Sequence, residues 1–401
     1  LKQKIQGNSL IQGVNMQYRR LGKTEEQVSI LGFGCMRLPL LNNRNDHIDR
    51  PQAIEMLRWA IDEGVNYIDT AFPYHGTGFD KGGESEPLVA EALRDGYRSK
   101  VKLATKLPSW LIQSRADFDK YLNLQLQRLE TDHIDFYLVH ALNKTFWANL
   151  VQQGLFDFLD CALKDGRIKH AGFSFHDDFQ TFVEIVDAYD WSFCQIQYNY
   201  IDTDYQAGRQ GLQYAADKDL GIVIMEPLRG GALTRNLPTE VKEKFAASGR
   251  DWSAAEWALR WLWNIPQIGT VLSGMSNMPQ TRENVIAATK QDQFSHSDLL
   301  VIEDVQKIYR QRIKVNCTAC RYCMPCPVGV DIPRNFQMYN SFYLFDEAAQ
   351  EAVRFQYGMQ VPDAAKANKC IKCGKCLSHC PQQIKIPQEL EQVQKLFSPE
   401  K

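Results

Sequence analysis

Eight short apolar runs recur along this chain, at residues 31–38, 67–71, 101–107, 134–141, 168–175, 193–199, 221–228 and 269–276. They are apolar nearly throughout, the pattern of strands buried on both faces in a parallel sheet. Longer stretches with helical spacing lie between them, among them 51–63, 84–94, 116–129 and 253–263. Eight strand–helix units within residues 17–290 predict an α/β chain closed into a (β/α)8 TIM barrel, not an open doubly wound sheet. No Gly-x-Gly-x-x-Gly turn follows the first run, which also argues against a Rossmann crossover. A hairpin over 18–30 is expected to close the bottom of the barrel.

With 401 residues, 44% of them hydrophobic, the chain has material for a second domain. Near its end a cysteine pattern is written twice. Cys317-x-x-Cys320-x-x-Cys323 is followed by Cys326-Pro327, and Cys370-x-x-Cys373-x-x-Cys376 by Cys380-Pro381. Eight of the eleven cysteines fall in these runs. Three thiolates spaced three apart wrap one corner of an iron-sulfur cubane, and a cysteine just before proline reaches the other cluster. Two 4Fe-4S clusters are therefore expected, with Cys380 completing the first triplet and Cys326 the second. A zinc tetrahedron would leave the third cysteine of each triplet surplus, and a disulfide framework calls for a secretory context the chain does not display. Each Cys-Pro leads at the same offset to an Ile-Pro, at 332–333 and 386–387, so two similar half-modules are implied.

In such a barrel, polar residues at the C-terminal strand ends face the catalytic mouth. Asp69 ends the second run, Lys106 the third, and His140 lies at the end of the fourth, with Tyr74 in the loop after Asp69. A tyrosine, with a pKa of about 10, becomes a useful acid–base group when a cation stabilises its phenolate. Lys106 is placed to supply that charge, Asp69 to hold the lysine ionised, and His140 to hydrogen-bond a substrate carbonyl. Singly, each residue has a structural explanation; their placement at consecutive strand ends is the argument.

These residues resemble the aldo/keto reductase superfamily. Asp69-Thr70-Ala71-Phe72-Pro73-Tyr74, Ala104-Thr105-Lys106 and Leu138-Val139-His140 look like its aspartate–tyrosine, lysine and histidine motifs. The resemblance implies a nicotinamide-dependent carbonyl reductase, with Tyr74 protonating the carbonyl oxygen, Lys106 and Asp69 lowering its pKa, and His140 orienting the substrate. It also implies that NADP or NAD lies across the strand ends. Ser174 and Gln195 resemble the carboxamide contacts, and Pro227, Leu228, Arg229 and Gly230 the pyrophosphate loop. Gly274, Gln280 and Asn284 lie in the segment resembling the adenosine site. Gly274 and Gln280 stand where many relatives carry basic residues, leaving Arg282 as the nearest cation for a 2′-phosphate. The cysteine module is similar to the iron-sulfur tail of one branch of these proteins, which implies a small, mainly α-helical ferredoxin-like domain.

The expected organisation is an N-terminal extension at 1–16, a barrel at 17–295, and a joining helix with the two-cluster domain at 296–401. A formal charge of −2 and the lack of a basic, aromatic-rich stretch argue against nucleic acid. No run of about eighteen apolar residues points to a membrane, and cytoplasmic placement is expected. Trp110, Phe146, Trp147 and Arg229 are candidate pocket-lining residues. A nicotinamide gives two electrons as hydride whereas a cluster passes one, so the clusters' role, whether electron transfer, redox sensing or structure, stays open. The leading expectation is reduction of a small-molecule carbonyl substrate. The alternative is an electron-transfer adaptor whose clusters serve a redox partner protein such as ferredoxin or flavodoxin.

Overall fold

Strands β1 (Tyr18–Arg20) and β2 (Gln27–Ser29) form an antiparallel hairpin ahead of eight parallel strands. The eight are β3 (Leu31–Gly34), β4 (Tyr67–Asp69), β5 (Lys102–Leu107), β6 (Ile134–Leu142), β7 (Ile168–Phe175), β8 (Phe193–Gln197), β9 (Gly221–Met225) and β10 (Thr270–Ser273). In this computed structural model, β10 pairs with both β9 and β3, and the sheet closes into a barrel in sequence order. Residues 15–398 are described, apart from Phe79, Asn236, 291–293, 318–322, 348–349 and Pro381. Each barrel strand coincides with one of the apolar runs of the sequence, β6 ending one residue past its run. Several runs, such as 31–38 and 221–228, continue past the strand because the same apolar residues enter the loops at the mouth.

Inside the barrel, Tyr67, Ala104, Phe136, Leu138, Phe193, Val223 and Leu272 meet Leu21 and Val28 from the hairpin, which plugs the bottom. Phe136 packs between Tyr67 and Phe193, with ring centroids 5.3 and 5.1 Å away. The plug needs bare backbone around it, since a Cβ on Gly221 or Gly269 would come within 2.6 or 2.4 Å of Leu21. Outside the strands, amphipathic helices bury one stripe each. The helix Arg50–Asp62, capped by Asp49 and opened by Pro51, buries Ala53, Met56, Leu57, Ala60 and Ile61. Burial of these stripes against the sheet supplies the larger hydrophobic cluster of the molecule.

The helix His296–Arg312 begins at a capping box formed by Ser295 and Asp298. Its Ile302, Val305 and Tyr309 join Tyr200, Leu233, Val241 and Trp257 of the barrel with Leu344 and Phe345 of the C-terminal region. Among the described residues, three further α-helices follow, Ile332–Leu344, Gln350–Gln360 and Ile386–Phe397. The repeated Ile-Pro opens two of them, where proline's missing N–H costs nothing. Phe336, Tyr357, Leu390 and Val393 form a second core, against which Cys317, Cys323, Cys326, Cys370, Cys376 and Cys380 pack. No helix among the described residues is long and apolar enough to cross a membrane.

Candidate active site

Lys106 and Asp69 are almost wholly buried at the mouth of the barrel. Asp69 pairs across the β4–β5 ladder with Ala104, an interior residue, and Lys106 lies two residues further on the same face. The Lys106 ammonium donates to both Asp69 oxygens, at 2.6 and 2.8 Å, and to the Thr70 carbonyl at 2.8 Å. It also reaches the Tyr74 hydroxyl at 3.3 Å. The fourth residue arrives by a different device. Register between β6 and β7 shifts between Val139 and Leu142, and Ala141 takes a positive φ of 53°, so the bulge re-aims His140. The His140 ring then stands edge-on to Tyr74 at 6.1 Å and 5.3 Å from Trp110. Its Nδ1 is buried without a hydrogen-bond partner among the described residues.

Burial dominates the electrostatics. It pushes the Tyr74 phenol above its ordinary pKa; Lys106 pulls the other way and Asp69 adds to the rise. Lys106 thus opposes the shift as the sequence predicts without reversing it, while Asp69 acts on the phenol in the opposite sense to that expected. Burial lowers the Lys106 pKa, but Asp69 and Tyr74 overcome it and the ammonium stays charged. His140 is held well below the usual imidazole value by burial, Lys106 and His176, so it is neutral near pH 7. The site therefore holds a protonated phenol, a charged lysine and an uncharged imidazole side by side.

From this cluster a cleft of about 1080 Å³ runs across the strand ends. Ser174, Gln195, Pro227, Leu228, Gly230, Gly274, Gln280 and Asn284 all line it. Ser174 Oγ accepts from the Ala141 amide at 2.7 Å, and the Gln195 Oε1 atom is buried with no partner among the described residues. A ligand carrying amide N–H groups would satisfy that oxygen. Four residues are placed otherwise than the sequence suggested. Arg229 does not line the cleft; beside Gly230 and Gly231, all three at positive φ, it turns out to Asp202 at 3.3 Å and the Phe345 ring at 5.9 Å. Arg282 lies over Trp59, 5.8 Å from its ring centroid. Phe146 and Trp147 are also absent from the lining, and Trp147 is buried with its indole donating to Glu184.

Arg37 and Arg235 line the cleft, though no pattern in the sequence pointed to either. Arg37 lies 3.5 Å from Glu226, and Arg235 donates to the Gly230 carbonyl at 2.9 Å. Both sit in loops, where no periodicity tells which way a side chain turns.

A second cavity, of about 420 Å³, is rimmed by Cys323, Cys326, Cys370, Cys373 and Cys376. Cys326 lies close enough to Cys376 to raise its thiol pKa after burial, together with Cys370 and Cys373. Asn316, beside Cys317, reaches Gln382, just beyond Cys380, at 3.5 Å. Cys326 therefore lies beside the second triplet, and the segment after Cys380 comes near the start of the first cysteine run. Among the described residues no three His, Cys, Asp or Glu side chains converge on a single-ion site. One zinc needs its thiolates about 2.3 Å from a common point, whereas these sulfurs surround a space. The donor set fits an iron-sulfur cubane. Cys320 lies outside the described residues.

Residues 30–307 match the aldo/keto reductase family. The chain belongs to that family. Residues 316–384 match a 4Fe-4S dicluster domain, so this aldo/keto reductase carries an iron-sulfur tail and is an oxidoreductase. It is 26% identical over 302 residues to an uncharacterized oxidoreductase, YqkF, of Bacillus subtilis, covering 68% of this chain and 91% of that one. Against the L-galactose dehydrogenase of Arabidopsis thaliana it is 24% identical over 296 residues, covering 69% and 89%. The holo form of aldo-keto reductase AKR11C1 from Bacillus halodurans shares the fold, with a TM-score of 0.60 at 23% identity over 73% of this chain and 96% of that one. The thermostable aldo-keto reductase Tm1743, in complex with the inhibitor epalrestat, gives a TM-score of 0.59 at 25% identity over 72% and 100%.

Proposed function

We propose that this aldo/keto reductase reduces a small-molecule carbonyl with NADH or NADPH, using Tyr74 as the general acid. One observation carries the reading: the Lys106 ammonium bridges Asp69 and Tyr74 at the head of a cleft that passes Ser174 and Gln195. When bound, the nicotinamide would supply hydride. Tyr74 donates the proton at its hydroxyl to the carbonyl oxygen, and Lys106 stabilises the phenolate left behind. Asp69 keeps Lys106 charged and fixed. Neutral His140 is available to hydrogen-bond the substrate oxygen, with Trp110 as an apolar wall. Ser174 and Gln195 would hold the carboxamide, Pro227, Leu228 and Gly230 the diphosphate, and Gly274, Gln280 and Asn284 the adenosine end.

In the tail, Cys317, Cys320, Cys323 and Cys380 would hold one 4Fe-4S cluster, and Cys370, Cys373, Cys376 and Cys326 the other. Such thiolates belong in a reducing cytoplasm. The domain reading is a barrel over 17–295 followed by the joining helix and cluster domain over 296–401. A second reading, in which the clusters serve an electron-carrier protein, draws support from the exposed Cys373, Ile371 and Leu377 of the second cysteine run.

Tyr74→Phe tests the main reading because it deletes only the proton. Carbonyl reduction should fall by about 10²–10⁴-fold while nucleotide binding, followed by fluorescence titration, persists. Undiminished turnover in the variant would transfer the case to the electron-carrier reading.

A further inference from the structure

The Tyr74 phenol is aimed from a loop, not from a strand, so its place beside Lys106 depends on what holds that loop. One side is held by backbone. Gly83 N donates to the Phe72 carbonyl at 2.8 Å, Ser85 N to that of Tyr74 at 3.2 Å and Glu84 N to that of His75 at 3.2 Å. The fit is close, since a Cβ on Gly83 would come within 2.0 Å of the Tyr74 oxygen. The other side faces the rim of the cleft, where Met36, Arg37 and Asn45 follow β3, and there a side chain makes the connection.

That side chain is His75, which is 3% exposed and lines the cleft beside Tyr74. Its Nδ1 lies 2.9 Å from the Asn45 carbonyl, and the Leu38 amide donates to its Nε2 at 3.3 Å. A carbonyl can only accept and an amide N–H can only donate, so Nδ1 carries the proton and Nε2 the lone pair. The ring is therefore neutral and held in one tautomer. Burial opposes a second proton, and the Asn45 and Cys35 backbones offset it only in part. Asn45 returns the contact by donating from its side-chain amide to the Gly76 carbonyl at 3.0 Å. His75 also takes a φ of 60°, a left-handed conformation that a residue other than glycine keeps only where its surroundings fix it.

We propose that His75 is a positioning residue for Tyr74: its neutral ring pins the loop that carries the phenol to the rim of the cleft, and so sets the 3.3 Å approach of the hydroxyl to Lys106. The inference rests on reading Tyr74 as the general acid. A loop free to swing by about 1 Å misplaces the proton donor, and a displacement of that size can cost on the order of 100-fold in rate.

The test compares two replacements that are unbranched at Cβ, as histidine is. Glutamine can donate to one backbone partner and accept from another, whereas leucine fills the space and does neither. Rates are followed as consumption of NADH and of NADPH with 4-nitrobenzaldehyde, on protein whose iron content and unfolding temperature match the wild type. His75→Leu should lower kcat about 10–100-fold while the nucleotide Kd, from tryptophan quenching, stays within about twofold, and His75→Gln should lose less than about fivefold. Equal loss of kcat in the two variants overturns the proposal, as does an unchanged kcat in His75→Leu. Weaker nucleotide binding at unchanged kcat also overturns it, making His75 a prop for the rim alone. Undiminished turnover in Tyr74→Phe is a separate outcome, which defeats the general-acid reading and this role with it.

Discussion

The chemistry turns on which way burial moves one phenol. Tyr74 must be protonated to act as an acid, and burial holds its pKa above the ordinary 10.0 even though Lys106 lies 3.3 Å away. A group with a raised pKa keeps its proton through neutral pH and loses it only as pH climbs past that value. His140, shifted down from 6.5, stays neutral over the same range. The kcat/KM for carbonyl reduction should therefore be level from pH about 6 to 9 and fall only at higher pH, as the phenol ionises. A pH–rate profile checks this. A descending limb already present near pH 7 would mean that Lys106 overcomes burial in the working enzyme.

At the scale of elements, the position of Lys106 depends on a buried network behind β5. Gln125, on the helix Arg115–Arg128, donates to Glu86 at 2.7 Å, to Thr105 at 3.2 Å and to the Lys106 carbonyl at 3.0 Å. Its oxygen accepts from Tyr137 of β6 at 2.9 Å, while Arg128 bonds the other oxygen of Glu86 at 2.8 Å. One amide thus ties two helices to two strands where Lys106 leaves the ladder. Gln125→Leu would strip donors from a buried carboxylate and carbonyl, and should cost about 2–4 kcal/mol in chemical denaturation. A change under about 0.5 kcal/mol would mean that the network is dispensable. None of this was legible in the sequence, since Gln125 and Glu86 sit on helices whose apolar spacing speaks only to their buried stripe. The strands were legible because burial on both faces leaves an unbroken apolar run. Asp69, Lys106 and His140 were legible because strand ends in a barrel have a known direction, whereas Arg37, Arg229 and Arg235 occupy loops whose turns depend on local φ. Arg229 in particular looked like a phosphate ligand from its neighbours Gly230 and Gly231, yet those glycines form the turn that carries it outward.

At the scale of the molecule, that outward turn joins the barrel to the C-terminal region. Arg229 follows β9 in the loop assigned to the diphosphate, and its guanidinium spans Asp202 and Phe345. Phe345 directly follows the helix Ile332–Leu344 of the cluster domain and is buried with Leu344 among Leu233, Leu237 and Tyr309. Arg312 reinforces the junction by pairing with Glu240 at 2.8 Å and Asp346 at 3.5 Å. A displacement of the cluster domain would therefore be felt at the loop proposed to hold the diphosphate through packed side chains, with no flavin or direct electron path required. Phe345→Ala removes this contact without touching a cysteine or Asp69, Tyr74, Lys106 or His140. The variant should retain its iron and its absorbance near 400 nm but bind reduced nicotinamide several-fold more weakly, since the Gly230 loop loses the support beneath Arg229. Fluorescence titration beside an iron assay measures both. Unchanged affinity with full iron would make the tail an independent passenger, while loss of iron would show that Phe345 supports the cluster domain before it supports the loop.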